Sequence, residues 1–183
     1  MVDRVRSGLE KYSMHTCPNT GLSIPVPEGW FISEKEHSLY NSCLITREPY
    51  ERIRTFFTGL EVNVYRNYKN RARLRPTQFA SKEIKACEER FEVRPDKFHK
   101  DALYFSFSGL LINPGILAVH PNLGLIPISL QSLLYLQMKA CNLDDIVYQL
   151  TFHSTPTTWR KDKPISKAML ENWKDISSLR QWR

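Results

Sequence analysis

Hydrophobic and polar residues alternate with a period of two along much of this chain. Residues 58–65 give the clearest case, with Leu60, Val62 and Val64 at alternate positions, as a strand with one buried face requires. Residues 22–26 alternate in the same way. In residues 103–108, Leu103, Phe105 and Phe107 fall on one side and Tyr104, Ser106 and Ser108 on the other. Leu134, Leu136 and Met138 repeat the pattern, as do Ile146, Tyr148, Leu150 and Phe152. Residues 43–46 add a short apolar run. Several of these strands are separated by connections too short for a helical crossover, so the pattern predicts a mainly antiparallel sheet.

Two stretches have helical spacing instead. From Pro76, the residues Ala80, Ile84, Cys87 and Phe91 follow at intervals of four, three and four, leaving Lys82, Lys85 and Glu89 on the other side; proline is tolerated in a first helical turn. From Pro164, Ile165, Met169 and Trp173 recur every four residues. Turns are predicted at residues 17–21, where Pro18, Asn19 and Gly21 suit a reversal, and at 27–29, which delivers Trp30 and Phe31 to the edge of a core. No internal repeat, low-complexity tract or linker interrupts the chain. The expected fold class is therefore α+β, with 1–183 as a single domain, a core at about 20–175 and an apolar insertion at 110–127.

Composition narrows this picture only slightly. With 42% hydrophobic and 25% charged residues among 183, the chain has enough apolar material to bury a core. The N-terminus mixes charges and has no apolar stretch of the secretory kind, so the expected location is cytoplasmic. Cys17, Cys43, Cys87 and Cys141 form no Cys-x-x-Cys pair and have no histidine at a zinc-finger offset, so the expectation is reduced thiols, no metal ligands and no cofactor. A net charge of +7 inclines the chain towards acidic partners.

Taken in order, these segments resemble the PsbP-like superfamily. The likeness is carried by Gly21-Leu22-Ser23-Ile24-Pro25-Val26-Pro27-Glu28-Gly29-Trp30, by the strand at 60–65 followed by the Pro76 helix, and by the strand from Ile146 to Phe152 leading into Pro156 and Trp159. The resemblance implies an α/β/α sandwich around an antiparallel sheet, and a binding role without catalysis. It transfers no site residue.

Three features are candidates for function. The basic segment Arg66, Lys69, Arg71, Arg73, Arg75 and Lys82 contains no acid and is interleaved with Tyr65, Tyr68 and Phe79. It reads first as a solvated strand-to-helix loop, and otherwise as a surface for nucleic acid or another anionic partner. The second is the uncharged stretch between Ala102 and Met138, whose prolines rule out a membrane span. Its middle either packs on the core or, through Ile116, Leu117, Val119, Leu123, Leu125 and Ile126, meets a partner or a small apolar ligand or lipid. The third is catalytic: His15 lies near Cys17 and His153 precedes Ser154, but no local pattern supplies a base and its orienter. Trp182 alone among the tryptophans is free of an expected structural role. The sequence thus predicts a non-enzymatic binding or adaptor protein with another protein as its partner, and a carrier or nucleic-acid-binding protein as alternatives.

Overall fold

The computed structural model describes residues 11–49, 58–113, 116–120, 124–130 and 132–176, excepting the side chains of 70, 71, 116–120 and 124–130. In chain order the strands are β1 (Tyr12–Cys17), β2 (Leu22–Pro27), β3 (Phe31–Glu36), β4 (Asn41–Thr46) and β5 (Gly59–Arg66). Helices α1 (Tyr68–Ala72) and α2 (Pro76–Glu88) follow, then β6 (Glu92–Lys100), β7 (Tyr104–Ile112), β8 (Ile116–His120), β9 (Gly124–Leu130), β10 (Leu133–Cys141) and β11 (Ile146–Ser154). Helix α3 (Trp159–Glu171) and the short β12 (Lys174–Asp175) end the described chain. β3 to β7, β10 and β11 form a seven-stranded sheet in the order β3-β4-β5-β11-β10-β7-β6, and β1-β2-β12 form a smaller one. Every pairing is antiparallel.

Alternation sorts the side chains of the large sheet onto two faces. On the back, Cys43, Ile45, Leu60, Val62, Val64, Leu150 and Phe152 pack against Leu22, Ile24 and Val26 of the small sheet and Ile165, Met169 and Leu170 of α3. On the front, Phe105, Phe107, Leu111, Leu136, Met138 and Val147 meet Ala80 and Ile84 of α2. A fully buried side chain such as Phe152 or Leu136 contributes about 2 kcal/mol relative to leaving it in water. Helix, sheet, and helix with small sheet make the layered α+β sandwich that the sequence implied.

The register confirms the strands read from alternation and adds β1, β3, β6, β8, β9 and β12, which alternation missed. β1, β3 and β6 are polar and lie towards the outside, so the apolar period never shows. β6, at an edge of the large sheet, carries Pro95 and a register shift between Pro95 and Lys97, devices that keep a sheet edge from recruiting another strand. Expectations about boundaries change at both long helices, the second of which ends at Glu171, before Trp173. α2 stops at Glu88, so Phe91 lies in the turn beyond it. α3 begins at Trp159 and contains Pro164 in its interior, whereas the sequence placed the proline at its start. Within the apolar segment, residues 116–120 and 124–130 are strands β8 and β9, which pair with each other as a separate two-stranded sheet.

Candidate functional site

The front of the large sheet changes character between β11 and β10. Under α2 it is apolar, but on β3, β4, β5 and β11 the same face carries two cross-strand rows of mostly polar side chains. Lys35, Ser42, Asn63 and Gln149 pair across one row, and Ser33, Leu44, Glu61 and Thr151 across the next. Helix α2 packs on β10, β7, β11 and β6, which leaves a pocket of about 260 Å³ over the rows, lined among others by Lys35, His37, Tyr40, Ser42, Glu61 and Asn63.

The chemistry of the pocket centres on Glu61. Asn63 Nδ2 donates to Glu61 Oε1 at 3.0 Å, and His153 Nε2 approaches Oε2 at 3.5 Å. The His153 hydrogen bond, helped by Asn63 and opposed by burial, holds the Glu61 carboxyl below its usual range. Asn63 is only 8% exposed, and its Oδ1 has no hydrogen-bond partner among the described residues. The pocket therefore presents an ionised carboxylate, with lone pairs beyond those that Asn63 and His153 engage, beside a carbonyl oxygen that has no donor among the described residues.

A row of rings borders it. His37 stacks on Tyr40 with centroids 4.3 Å apart, and Tyr40 meets Tyr65 at 5.1 Å. Tyr65 in turn meets Phe79 at 5.1 Å and Tyr68 at 5.6 Å. The Tyr65 hydroxyl donates to Gln149 Oε1 at 3.3 Å, and burial pushes its pKa up. The row thus joins the tip of the β3–β4 hairpin to the start of α2.

Beyond the rings lies the basic segment, which is not a loop but α1, a left-handed turn at Arg73 (φ 56°) and the first turn of α2. Local bonds explain this: Lys69 N donates to Asp145 Oδ1 at 2.8 Å, and Arg75 N donates to Gln78 Oε1 at 3.2 Å. Lys69, Arg73, Arg75 and Lys82 are exposed. Arg66 points elsewhere, bonding the Thr20 carbonyl at 3.0 Å and Asp175 at 3.4 Å behind the sheet. The Arg71 side chain is outside the described residues.

Of the apolar candidates, Ile116, Leu117 and Val119 have their backbone in β8, and Leu125 and Ile126 in β9; Leu123 lies outside the described residues, as does Trp182. A different apolar opening does appear, a cleft of about 590 Å³ between α2 and β6 lined by Ile84, Phe91, Val93, Pro95, Phe98 and Phe107. No pattern in the sequence announces it, because β6 is too polar to read as a strand. Of the two catalytic candidates, His153 and Ser154 do not meet, whereas His15 and Cys17 do come together. As neighbours on one strand, His153 and Ser154 face opposite ways: the imidazole meets Glu61 in front, while Ser154 Oγ donates to Asp162 Oδ2 at 2.6 Å behind. Away from this face, His15, Cys17 and Glu34 are gathered between the two sheets.

Neither a protein-family model nor a curated protein sequence matches the chain. Solved structures do. The Ran-binding protein Mog1p of Saccharomyces cerevisiae superposes with a TM-score of 0.51 at 8% identity, over 91% of this chain and 96% of that one. The chain has the PsbP-like fold. A mutant form of Mog1 agrees, with a TM-score of 0.51 at 8% identity over 90% of this chain and 96% of that one. The solution structure of cyanobacterial PsbP from Synechocystis sp. PCC 6803 aligns over 92% of this chain and 94% of its own at 9% identity, with a TM-score of 0.46; the fold assignment rests on the yeast protein. No helix among the described residues is long and apolar enough to cross a membrane.

Proposed function

We propose that the chain, acting as a single unit, is a non-enzymatic protein-binding module that docks a folded partner on the polar half of its front face. One observation carries this reading: in one pocket, the Glu61 carboxylate and the unpartnered Asn63 Oδ1 lie together on a rigid sheet. Two neighbouring acceptors fit a donor with several hydrogens, and the group that matches is a guanidinium or ammonium on a partner. The ring row beside the pocket adds flat apolar area at small entropic cost, as interface aromatics do. That the yeast protein of this fold is Ran-binding supports a protein as the ligand. The exposed Lys69, Arg73, Arg75 and Lys82 lie past the rings, where they would engage acidic residues flanking the partner's basic anchor.

The test is affinity capture with the full chain against Glu61→Gln, which keeps the shape of the side chain and removes its charge. The expected result is a partner recovered in stoichiometric amount by the parent protein and reduced at least about tenfold with the variant, equivalent to losing ~1.4 kcal/mol of binding. The thermal midpoint should fall only slightly, since the Glu61 side chain is 41% exposed and solvent screens the stability that its lowered pKa implies. Equal recovery by both proteins would contradict the reading.

A further inference from the structure

Between the two sheets, four side chains with metal-binding atoms converge from strands far apart in the sequence. His15 and Cys17 are two residues apart on β1 and so share its inner side. Glu34 of β3 and Cys43 of β4 are directly paired across the facing edge of the large sheet. His15 Nε2 lies 3.3 Å from Glu34 Oε1, and Cys17 Sγ lies 2.9 Å from Cys43 Sγ. The ligating atoms of His15, Cys17 and Glu34 all fall within 4.8 Å of one another.

We propose that His15, Cys17, Glu34 and Cys43 form a binding site for a zinc(II) ion that clips β1 to the β3–β4 hairpin. A tetrahedral zinc with bonds of about 2.0–2.3 Å holds its ligand atoms roughly 3.3–3.8 Å apart. The His15–Glu34 spacing already meets this and Cys17 lies within 4.8 Å of both; Cys43 falls outside that group and joins through Cys17, so closing the tetrahedron requires the two sulfurs to separate by less than about 1 Å and to move in towards His15 and Glu34. Two sulfurs, an imidazole and a carboxylate favour zinc over magnesium or calcium, which prefer oxygen alone. Both cysteines are wholly buried, at 0% exposure, whereas the His15 and Glu34 side chains are 32% and 19% exposed and give the ion a way in.

The surroundings hold these ligands in place. Asn19 N donates to Glu34 Oε2 at 3.3 Å, orienting the carboxylate as outer-shell donors do in metal sites. Gly21, in the left-handed region at φ 71°, closes the turn after Cys17 by donating its N–H to the Cys17 carbonyl at 2.9 Å. Asn41 Nδ2 donates to the Asn19 carbonyl at 2.5 Å, tying that turn to β4. The pattern was invisible in sequence because its ligands come as two separated pairs, with the second pair joined across strands rather than along one.

The experiment takes the full chain, purified with reductant and stripped by chelator, and titrates it with zinc(II) and with cobalt(II) as a spectroscopic stand-in. The expected results are one zinc per chain by elemental analysis and an intense tetrahedral cobalt spectrum with a thiolate-to-metal band. Cys43→Ser should abolish or strongly weaken that band. Because substitution of a buried cysteine can impair folding, the partly exposed His15→Ala provides a second variant, expected to keep the fold and weaken zinc at least about tenfold. Three outcomes overturn the proposal: no stoichiometric zinc, a weak octahedral cobalt spectrum without the thiolate band, or a protein mass lower by two hydrogens that shows Cys17 and Cys43 joined in a disulfide.

Discussion

Asp162 sits in the first turn of α3 with its side chain wholly buried, and it ties that helix to β4, β5 and β11. It accepts from Arg47 at 2.6 Å, Ser154 at 2.6 Å and Thr58 at 3.4 Å. Burial disfavours its charge, but the hydrogen bonds from Ser154, Thr158 and Arg47, with the guanidinium's positive charge, outweigh this and hold its pKa below the usual value. Because the folded value is depressed, the stability it contributes is present above the unfolded carboxyl pKa of about 3.9 and is lost as pH falls through the folded value. Asp162→Asn should therefore cost on the order of 3 kcal/mol near neutrality. Urea unfolding checks it: the gap to the parent protein should shrink by about pH 3, and a gap independent of pH would show that shape, not charge, matters here. No sequence pattern announces Asp162, because Arg47 and Thr58 lie 115 and 104 residues away. Glu61 and Asn63 were more legible, as the polar alternate positions of the clearest strand, yet alternation alone does not say whether such a face meets water or a partner.

Among the elements, those with an apolar period were read correctly and those at the margins were not. The stripes of β5, β7, β10 and β11 face the cores as expected, except that Leu103, one residue before β7, is exposed at 43%. β1, β3 and β6 carry too few buried side chains to leave a period, and α3 extends five residues ahead of the proline that seemed to start it. Pro164 is the sixth residue of α3, past the first turn, where it forfeits the bond to the Arg160 carbonyl; the helix runs through it all the same, so the boundary signal misled. β6 depends on a close approach that the sequence also hides. A Cβ on Gly109 of β7 would lie 2.7 Å from the Arg94 carbonyl and 2.9 Å from Pro95 Cα, both backbone atoms of β6. Gly109→Ala must push that strand outward, and the expected loss is ~1–3 kcal/mol. Hydrogen exchange should locate the damage in residues 92–100, and unchanged exchange there would refute the account of this edge.

At the scale of the molecule, and among the described residues, the large sheet has one face closed by a second sheet and a helix, while the other is covered by α2 over part of its width. The uncovered part carries the polar rows, the Glu61 pocket and the ring row, with exposed cations beyond. The sequence supplied the layers, through alternation and through its resemblance to a known fold; it did not supply the surface, which depends on register across β3, β4, β5 and β11. Hydroxyl-radical footprinting of the captured complex tests the docking face most directly, because it reports on side chains individually. The account predicts protection of His37, Tyr40 and Tyr65 on binding, with Phe98 and Tyr104 still labelled as in the free protein. Protection confined to Phe98 and Tyr104, with the ring row still open to the radical, would contradict it.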